Sequence, residues 1–196
     1  MIHTEYIKGN DILIVMCEDH DLNIEIEGSS LLLVKDIDWN RDLSPWKADR
    51  VFRKGEDFGG QADETLKIIL DAMKEIPYRK AMIAGYSLAG LFALYACTKT
   101  DAFAGCVSAS GSLWFPDFDV YLKQNKVKCE SVYLSLGEKE KNTRNPVMEK
   151  IEEKTYEAYE VIGQYTHVKM EMNPGNHFNE AEKRLRKGID HILADL

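Results

Sequence analysis

The sequence predicts an α/β fold, a three-layer α/β/α sandwich built around a mostly parallel sheet, and two patterns support this prediction. Short apolar runs alternate along the chain with segments of helical periodicity, as in folds whose parallel strands are joined through helices. Most of the runs, such as ILIVMC at 12–17 and AMIAGY at 81–86, are continuously apolar. Strands that are covered on both faces have this composition.

The predicted strands cover 12–17, 31–36, 81–86, 103–109, 131–136 and 165–171. Apolar residues recur with helical spacing in the segments between and after them, which predicts helices over 61–76, 88–97, 146–162 and 178–193. The segment 88–97 is apolar on every side, so this helix should be buried in the middle of the molecule.

Terminal signals support the helix boundaries. Pro77 ends the first helix, Asn145 followed by a proline caps the third, and Gly163 ends it. In the last helix the apolar face begins with Phe178. The connection 37–60 has no long helix or strand of its own, and connections of that length in a compact domain are usually functional.

Length and charge narrow the class of function. A chain of 196 residues predicts a single domain over 1–196. The net charge is -8 and no cluster of Lys and Arg interrupts the acidic background, which argues against a nucleic-acid or anionic-membrane partner. A small-molecule partner is expected. The sequence does not decide whether the protein forms a homodimer through an exposed edge strand.

The N-terminal segment and the cysteines predict a cytoplasmic protein. The first apolar run is short and has no basic region before it, unlike a signal peptide or a membrane span. The four cysteines are scattered among apolar neighbours at 17, 97, 106 and 129. We expect them to be reduced and buried.

Ser87 is the candidate nucleophile. It lies in Gly85-Tyr86-Ser87-Leu88-Ala89-Gly90, where the strand 81–86 passes into the buried helix. A serine in a strained strand-to-helix turn projects its Oγ from the carboxyl end of the sheet and needs small residues two positions before and after it. Gly85 and Ala89 meet that requirement. The alternative is a tight turn in which Ser87 caps a helix.

His177 and a glutamate are the candidate partners of Ser87. His177 follows the final strand in a loop at the carboxyl edge of the sheet, and its alternative is a surface residue at a helix start. After the strand 131–136 come Glu138 and Glu140, which compete for the role of the acid that orients the imidazole. We favour Glu140. Two alternatives remain. The glutamates could belong to a solvated surface loop, and the site could be a Ser–His dyad that lacks an acid.

These segments resemble the α/β-hydrolase superfamily, in particular esterases akin to the siderophore esterases. The resemblance is carried by GYSLAGLFALY at 85–95, AGCVSASGSLWF at 104–115, GEKE at 137–140 and GNHF at 175–178. Their order along the chain, Ser then acid then His, is that of the superfamily. The resemblance implies a compact hydrolase fold with little or no lid and a serine carboxylesterase that acts on a small ester.

An oxyanion hole is expected beside the nucleophile. The amide of Leu88 at the helix start is one expected donor. The chain lacks an HGGG-type loop, so the second donor is expected from a backbone amide of Glu18 or Asp19, after the strand 12–17. His20 with its neighbours Asp19 and Asp21 offers a weaker alternative, a metal site. The mechanism needs no cofactor, and we predict none.

Aromatic residues in loops at the catalytic edge predict an apolar substrate pocket. Its predicted residues are Trp39, Asn40, Trp46, Tyr86 and Trp114. Arg41 is expected to pair with Asp38 or Asp42 rather than with substrate, and Ser110 and Ser112 are expected to shape the pocket.

Two alternatives to an esterase stay open. The same triad serves thioester cleavage and acyl transfer, because a fold does not determine a substrate. The chain could instead be a non-catalytic binding protein that keeps the hydrolase fold. Ser, acid and His in the required order weigh against that second reading.

Overall fold

The computed structural model describes residues 1–18, 26–51 and 55–196. Its strands in chain order are β1 (His3–Ile7), β2 (Ile12–Cys17), β3 (Ser30–Lys35), β4 (Lys47–Ala48), β5 (Phe58–Gly59), β6 (Lys80–Tyr86), β7 (Gly105–Ala109), β8 (Ser131–Gly137) and β9 (His167–Asn173). Its helices are α1 (Trp39–Asp42), α2 (Ala62–Met73), α3 (Leu88–Lys99), α4 (Phe118–Gln124), α5 (Ile151–Ile162) and α6 (Ala181–Asp195).

The central sheet has seven strands in the order β1-β3-β2-β6-β7-β8-β9. All neighbours pair in parallel except β1, which runs antiparallel to β3 at the edge. The predicted α/β fold with a mostly parallel sheet is therefore confirmed. The strand β1 was not predicted, because its sequence HTEYI is mostly polar and exposed and lacks the apolar run of the inner strands.

Alternation along the strands creates two separate apolar cores. In β2, Leu13 and Val15 face one side while Ile14 and Met16 face the other. The first core packs against α2, α3, α4 and α5, and the second packs against α6. The helix α3 is buried along nearly its whole length, as predicted. Its position under the sheet supports the turn that precedes it.

The last helix starts later than predicted. It begins at Ala181, and Phe178, which was predicted on its apolar face, lies in the preceding loop with 86% of its surface exposed. The loop contains two residues with positive φ, Gly175 at 95° and Glu180 at 51°. This backbone cannot continue a helix. The apolar periodicity therefore predicted a helix start that is three residues too early.

The remaining elements refine the predicted boundaries. Asn145 accepts a hydrogen bond from the amide of Val147, and a short 3-10 turn at Met148–Lys150 precedes α5. The connection 37–60 contains α1 and the β4–β5 pair. All four cysteines are free and buried. Within the described ranges, the helices are too short or too polar to cross a bilayer.

Gly188 tests the packing of α6 on the sheet. A Cβ at this position would lie 2.5 Å from Val107 Cγ1 and 2.7 Å from Tyr133 Cδ1. Gly188→Ala should therefore lower the free energy of unfolding by about 1–3 kcal/mol through overpacking, although alanine favours helices. Urea unfolding measures the change.

The matched control is Asp190→Ala, an exposed position on the same helix whose side chain pairs with Arg186. This change should alter stability by no more than about 0.5 kcal/mol. A Gly188→Ala protein as stable as the wild type would show that α6 does not pack this closely.

Candidate active site

The backbone at Ser87 is strained. Ser87 lies between β6 and α3 with φ 55° and ψ -124°, a conformation that costs a non-glycine residue about 1–3 kcal/mol. A Cβ at Gly85 would collide with the carbonyl oxygen of Ala89. The strand and the helix can approach this closely only because Gly85 has no side chain. The turn thus has the geometry of a nucleophile elbow.

The side chains of Ser87, His177 and Glu140 form a connected triad. His177 Nε2 lies 3.1 Å from Ser87 Oγ, and His177 Nδ1 lies 2.8 Å from Glu140 Oε2. All three residues follow the carboxyl ends of parallel strands, β6, β9 and β8. With a proton on Nδ1 donated to the carboxylate, Nε2 is free to accept the proton of the serine.

The structure selects Glu140 over Glu138. Glu138 is exposed, whereas the Glu140 side chain is 4% exposed and contacts the imidazole. The turn after β8 explains the difference, because the amide of Glu140 donates to the carbonyl of Gly137 and directs its side chain back toward the sheet. The geometry supports Glu140, the favoured candidate, as the acid. It does not support a Ser–His dyad without an acid.

The carboxylate of Glu140 stays ionised despite its burial. Burial alone raises its pKa, but hydrogen bonds from His177 and Ser110 outweigh this effect and lower the pKa below its usual value. Ser110 Oγ and the amide of Gly137 each donate to Oε1 at 2.7 Å. An ionised acid beside Nδ1 stabilises the imidazolium that forms when Ser87 loses its proton.

Tyr86 contacts the His177 loop from the α6 side of the sheet. It is not among the residues that line the cavity beside Ser87, so its predicted place in the substrate pocket was wrong. Its side chain is buried in the α6 core, and its hydroxyl donates to the carbonyl of His177 at 2.6 Å. Strict alternation in β6 turns Tyr86 away from the substrate side. Burial raises the pKa of Tyr86 to about 12, which keeps the hydroxyl protonated and able to donate.

Sequence reasoning missed Arg184, which is 2% exposed and donates to Glu140 Oε1 at 3.0 Å. A signal was present, because Arg184 falls on the apolar face of α6 beside Leu185 and Gly188, where a charged residue needs a partner. Ser110 was expected only to shape the pocket, and its bond to Glu140 was missed.

The oxyanion prediction is partly corrected. Leu88 is the first residue of α3 and lines the cavity beside Ser87, which suits its amide for the predicted role. The amide of Glu18 donates to the carbonyl of Val34 at 2.8 Å, so it is already engaged and the prediction for this amide was wrong. Asp19, and with it the metal alternative at His20 and Asp21, lies outside the described residues.

A cavity of about 450 Å³ opens beside Ser87 and His177. Trp39, Asn40 and Trp114 line it, as predicted. The other described lining residues besides Leu88 are Ser112, Thr143, Asn145, Met148 and Phe178. Among the described lining residues, His177 alone can carry a charge, so this wall is neutral. The size is that of a pocket for a small molecule.

Trp46 does not line this cavity, and the prediction for it was wrong. Its ring packs on Phe115, Phe118 and Tyr121, and its Nε1 donates to the carbonyl of Pro116. Trp46 instead lines a neighbouring open cavity that shares Thr143 and Asn145 with the cavity beside Ser87. Arg41 pairs with Asp42 at 2.7 Å and Asp38 at 3.5 Å, as expected.

The clearest cation-ligand cluster among the described residues lies far from Ser87. It consists of His167, His191 and Asp195, whose ligand atoms lie within 4.8 Å of one another. His167 is the first residue of β9, and the other two lie in the last turns of α6. His191 Nε2 lies 4.0 Å from Asp195 Oδ2, whereas ligands of a tetrahedral zinc ion are about 3.3 Å apart, so this pair would have to move closer to bind one. The triad itself needs no metal for its chemistry.

Together, the fold and the site define an α/β-hydrolase fold that carries a Ser–His–Glu triad. Comparison with solved structures finds the same fold. An IroE-like serine hydrolase from Shewanella oneidensis matches with a TM-score of 0.75 and 15% identity over 95% of this chain and 71% of that chain.

Two other similar solved structures are an enterobactin esterase and a siderophore hydrolase. The enterobactin esterase FES from Shigella flexneri matches with a TM-score of 0.67 and 15% identity over 98% of this chain, which spans only 56% of that protein. The siderophore hydrolase EstA from Aspergillus nidulans matches with a TM-score of 0.64 and 18% identity over 94% of this chain and 82% of that chain. No family model and no curated protein matches the sequence.

Glu140→Gln tests the assignment of the acid. The amide of Gln can present a donor where the carboxylate accepts, which favours the wrong imidazole tautomer. The reaction of Ser87 with a fluorophosphonate probe should slow about 10³- to 10⁴-fold. Glu138→Gln is the matched control and should react at the wild-type rate, because Glu138 is exposed. Equal effects of the two changes would contradict the assignment.

Proposed function

We propose that this protein is a serine carboxylesterase that hydrolyses a small, uncharged ester. The observation that carries the proposal is the unbroken chain of contacts from Ser87 through His177 to Glu140 at the wall of a neutral cavity. A merely structural serine needs neither a strained backbone nor a histidine held by a buried carboxylate.

In the proposed mechanism, Ser87 Oγ attacks the ester carbonyl while His177 Nε2 accepts the serine proton. The amide of Leu88 stabilises the negative oxygen of the tetrahedral intermediate. Collapse breaks the bond to the alcohol, which leaves with the proton from His177. Water then attacks the acyl-enzyme with His177 again as base, and the acid product and free Ser87 result.

The cavity wall supports the preference for an uncharged substrate. Trp39, Leu88, Trp114, Met148 and Phe178 offer apolar contact, and Asn40, Ser112, Thr143 and Asn145 offer hydrogen bonds without charge. A carboxylate on the substrate would lose water without gaining a cation from these residues. An acyl or alcohol group of modest size, flat or branched, fits this composition.

We also propose a cytoplasmic location. The support is the state of the cysteines: Cys97 and Cys106 are fully buried, Cys17 and Cys129 are nearly so, and all four are free. Burial raises the pKa of the Cys17 thiol to about 12, which keeps it protonated and unreactive.

Labelling with a fluorophosphonate probe tests the nucleophile. Folded wild-type protein should form an adduct, and peptide mass mapping should place it on Ser87 rather than on Ser112 in the same cavity. Ser87→Ala should abolish labelling, and His177→Ala should slow it about 10³-fold or more, because the serine loses its base.

The matched control is His3→Ala. His3 Nδ1 also lies 2.9 Å from a carboxylate, that of Asp36, but the pair is exposed at the edge strand. Its removal should leave labelling unchanged. Folded wild-type protein that stays unlabelled would contradict the esterase proposal and favour a non-catalytic binding protein.

A panel of p-nitrophenyl esters tests the substrate class. We expect kcat/KM for the butyrate ester to exceed that for the anionic hemisuccinate ester by about tenfold or more, because a desolvated carboxylate finds no countercharge on the described wall. Parallel assays with a butyryl thioester, and with an added alcohol as acceptor, show whether thioester cleavage or acyl transfer is faster. A preference for the anionic ester would contradict the proposed substrate class.

Phe178→Ala extends this test to the binding wall. The ring of Phe178 lies at the mouth of the cavity and is largely exposed, so its loss should not affect folding. We expect KM for the butyrate ester to rise several-fold with kcat nearly constant, since about 1 kcal/mol of apolar contact is lost. Val120→Ala, at an exposed apolar position in α4, is the control and should leave KM unchanged.

A further inference from the structure

Arg184 is a buried charge whose position needs an explanation. Its side chain is 2% exposed and lies in the first turns of α6, beside the apolar residues that cover the sheet. Burying an ion pair adds little net stability, because the desolvation of both ions offsets their attraction. An apolar side chain of similar size would fill the same space. The contacts of the guanidinium therefore indicate a more specific role.

One guanidinium group connects the three segments that carry the triad. Nη1 donates to Glu140 Oε1 at 3.0 Å. Nη2 donates to the carbonyls of Asn176 and His177, each at 3.1 Å, and to the hydroxyl of Tyr86. Tyr86 immediately precedes the nucleophile, and its own hydroxyl donates to the carbonyl of His177. The acid, the loop of the base and the strand before the serine thus share one partner.

The two oxygens of Glu140 have separate partners. Oε1 accepts from the amide of Gly137, from Ser110 Oγ and from Arg184 Nη1, whereas Oε2 faces His177 Nδ1. Three donors saturate Oε1, so rotation of the carboxylate would break several hydrogen bonds at once. This arrangement reserves Oε2 for the imidazole and holds its tautomer.

We propose that Arg184 is a positioning residue of the catalytic centre, which aligns the Glu140 carboxylate and the His177 loop as one unit. The proposal rests on the proposed esterase function. Arg184 does not touch the substrate cavity, so it acts through Glu140 and His177. Its planar group with five donors can span a carboxylate oxygen, two carbonyls and a hydroxyl at once, which the single ammonium of a lysine cannot.

The kinetic test compares Arg184→Met and Arg184→Lys with wild type on p-nitrophenyl butyrate. We expect Arg184→Met to lower kcat about 10- to 100-fold with KM within about twofold, and Arg184→Lys to lose less. Arg186→Met, at a half-buried arginine two positions along the same helix, is the matched control and should keep wild-type kcat. Folded Arg184→Met with wild-type kcat would overturn the proposal.

A double-mutant cycle separates positioning from general support of the fold. In a Glu140→Gln background, Arg184→Met should lower kcat by a smaller factor than in the wild type, because the carboxylate that Arg184 aligns has already been replaced while its bonds to the His177 loop remain. An equal loss in both backgrounds would overturn the proposal. If Arg184→Met does not fold, the same cycle is run with Arg184→Lys, and the same two outcomes apply.

An NMR measurement keeps this proposal separate from the esterase proposal. The Nδ1 proton of His177, held by Glu140, should give a downfield signal that His177→Ala removes. In Arg184→Met or Arg184→Lys this signal should shift or broaden, whether or not the wild type hydrolyses esters. An unchanged signal would overturn the role of Arg184, and a wild type that shows the signal but stays unlabelled by fluorophosphonate would overturn only the esterase proposal.

Discussion

The buried carboxylate of Glu140 is the group on which the rest of the site depends. It is reached by the amide that ends β8, the hydroxyl that follows β7, the guanidinium of α6 and the imidazole that follows β9. A buried charge must be fully satisfied, because each missing partner leaves a desolvated ion. The acid therefore ties four separate parts of the chain into one arrangement. Without it, no acceptor would hold the proton on His177 Nδ1.

The parallel sheet makes this convergence achievable with short loops. Tyr86 pairs with Ala109, and Gly137 pairs with Asn173, so the strands that precede the triad end at the same edge. Only a few residues then separate each strand end from its functional side chain. Small residues also allow elements to approach closely. A Cβ at Gly137 would lie 3.0 Å from both Arg184 Nη1 and Glu140 Oε1, so the absence of a side chain there makes room for their contact. Backbone proximity at these points is a condition for the site.

Local patterns predicted the parts of the structure that local physics determines. The small residues around Ser87, the apolar helix after it and the apolar strands predicted the fold and the strained turn at Ser87. Long-range packing determined the rest. Trp46 packs on the distant rings of Phe115 and Phe118, and the alternation in β6 turns Tyr86 toward α6. Phe178 lies outside the last helix because Glu180, with φ 51°, interrupts the helical backbone between them. The partners of Arg184 and Ser110 also come from distant parts of the chain, so no short window of sequence reveals them.

The two faces of the sheet make different contributions, and this explains how an acidic chain presents a neutral cavity. The charged support of the triad lies toward the α6 face, where Tyr86 and Arg184 hold Glu140 and the His177 loop. Trp39 and Trp114 pack on the opposite core and line the cavity. Ser87 stands at the edge between the faces. Charge can thus act on the imidazole through hydrogen bonds while the described wall of the cavity, apart from His177 itself, carries no charged group.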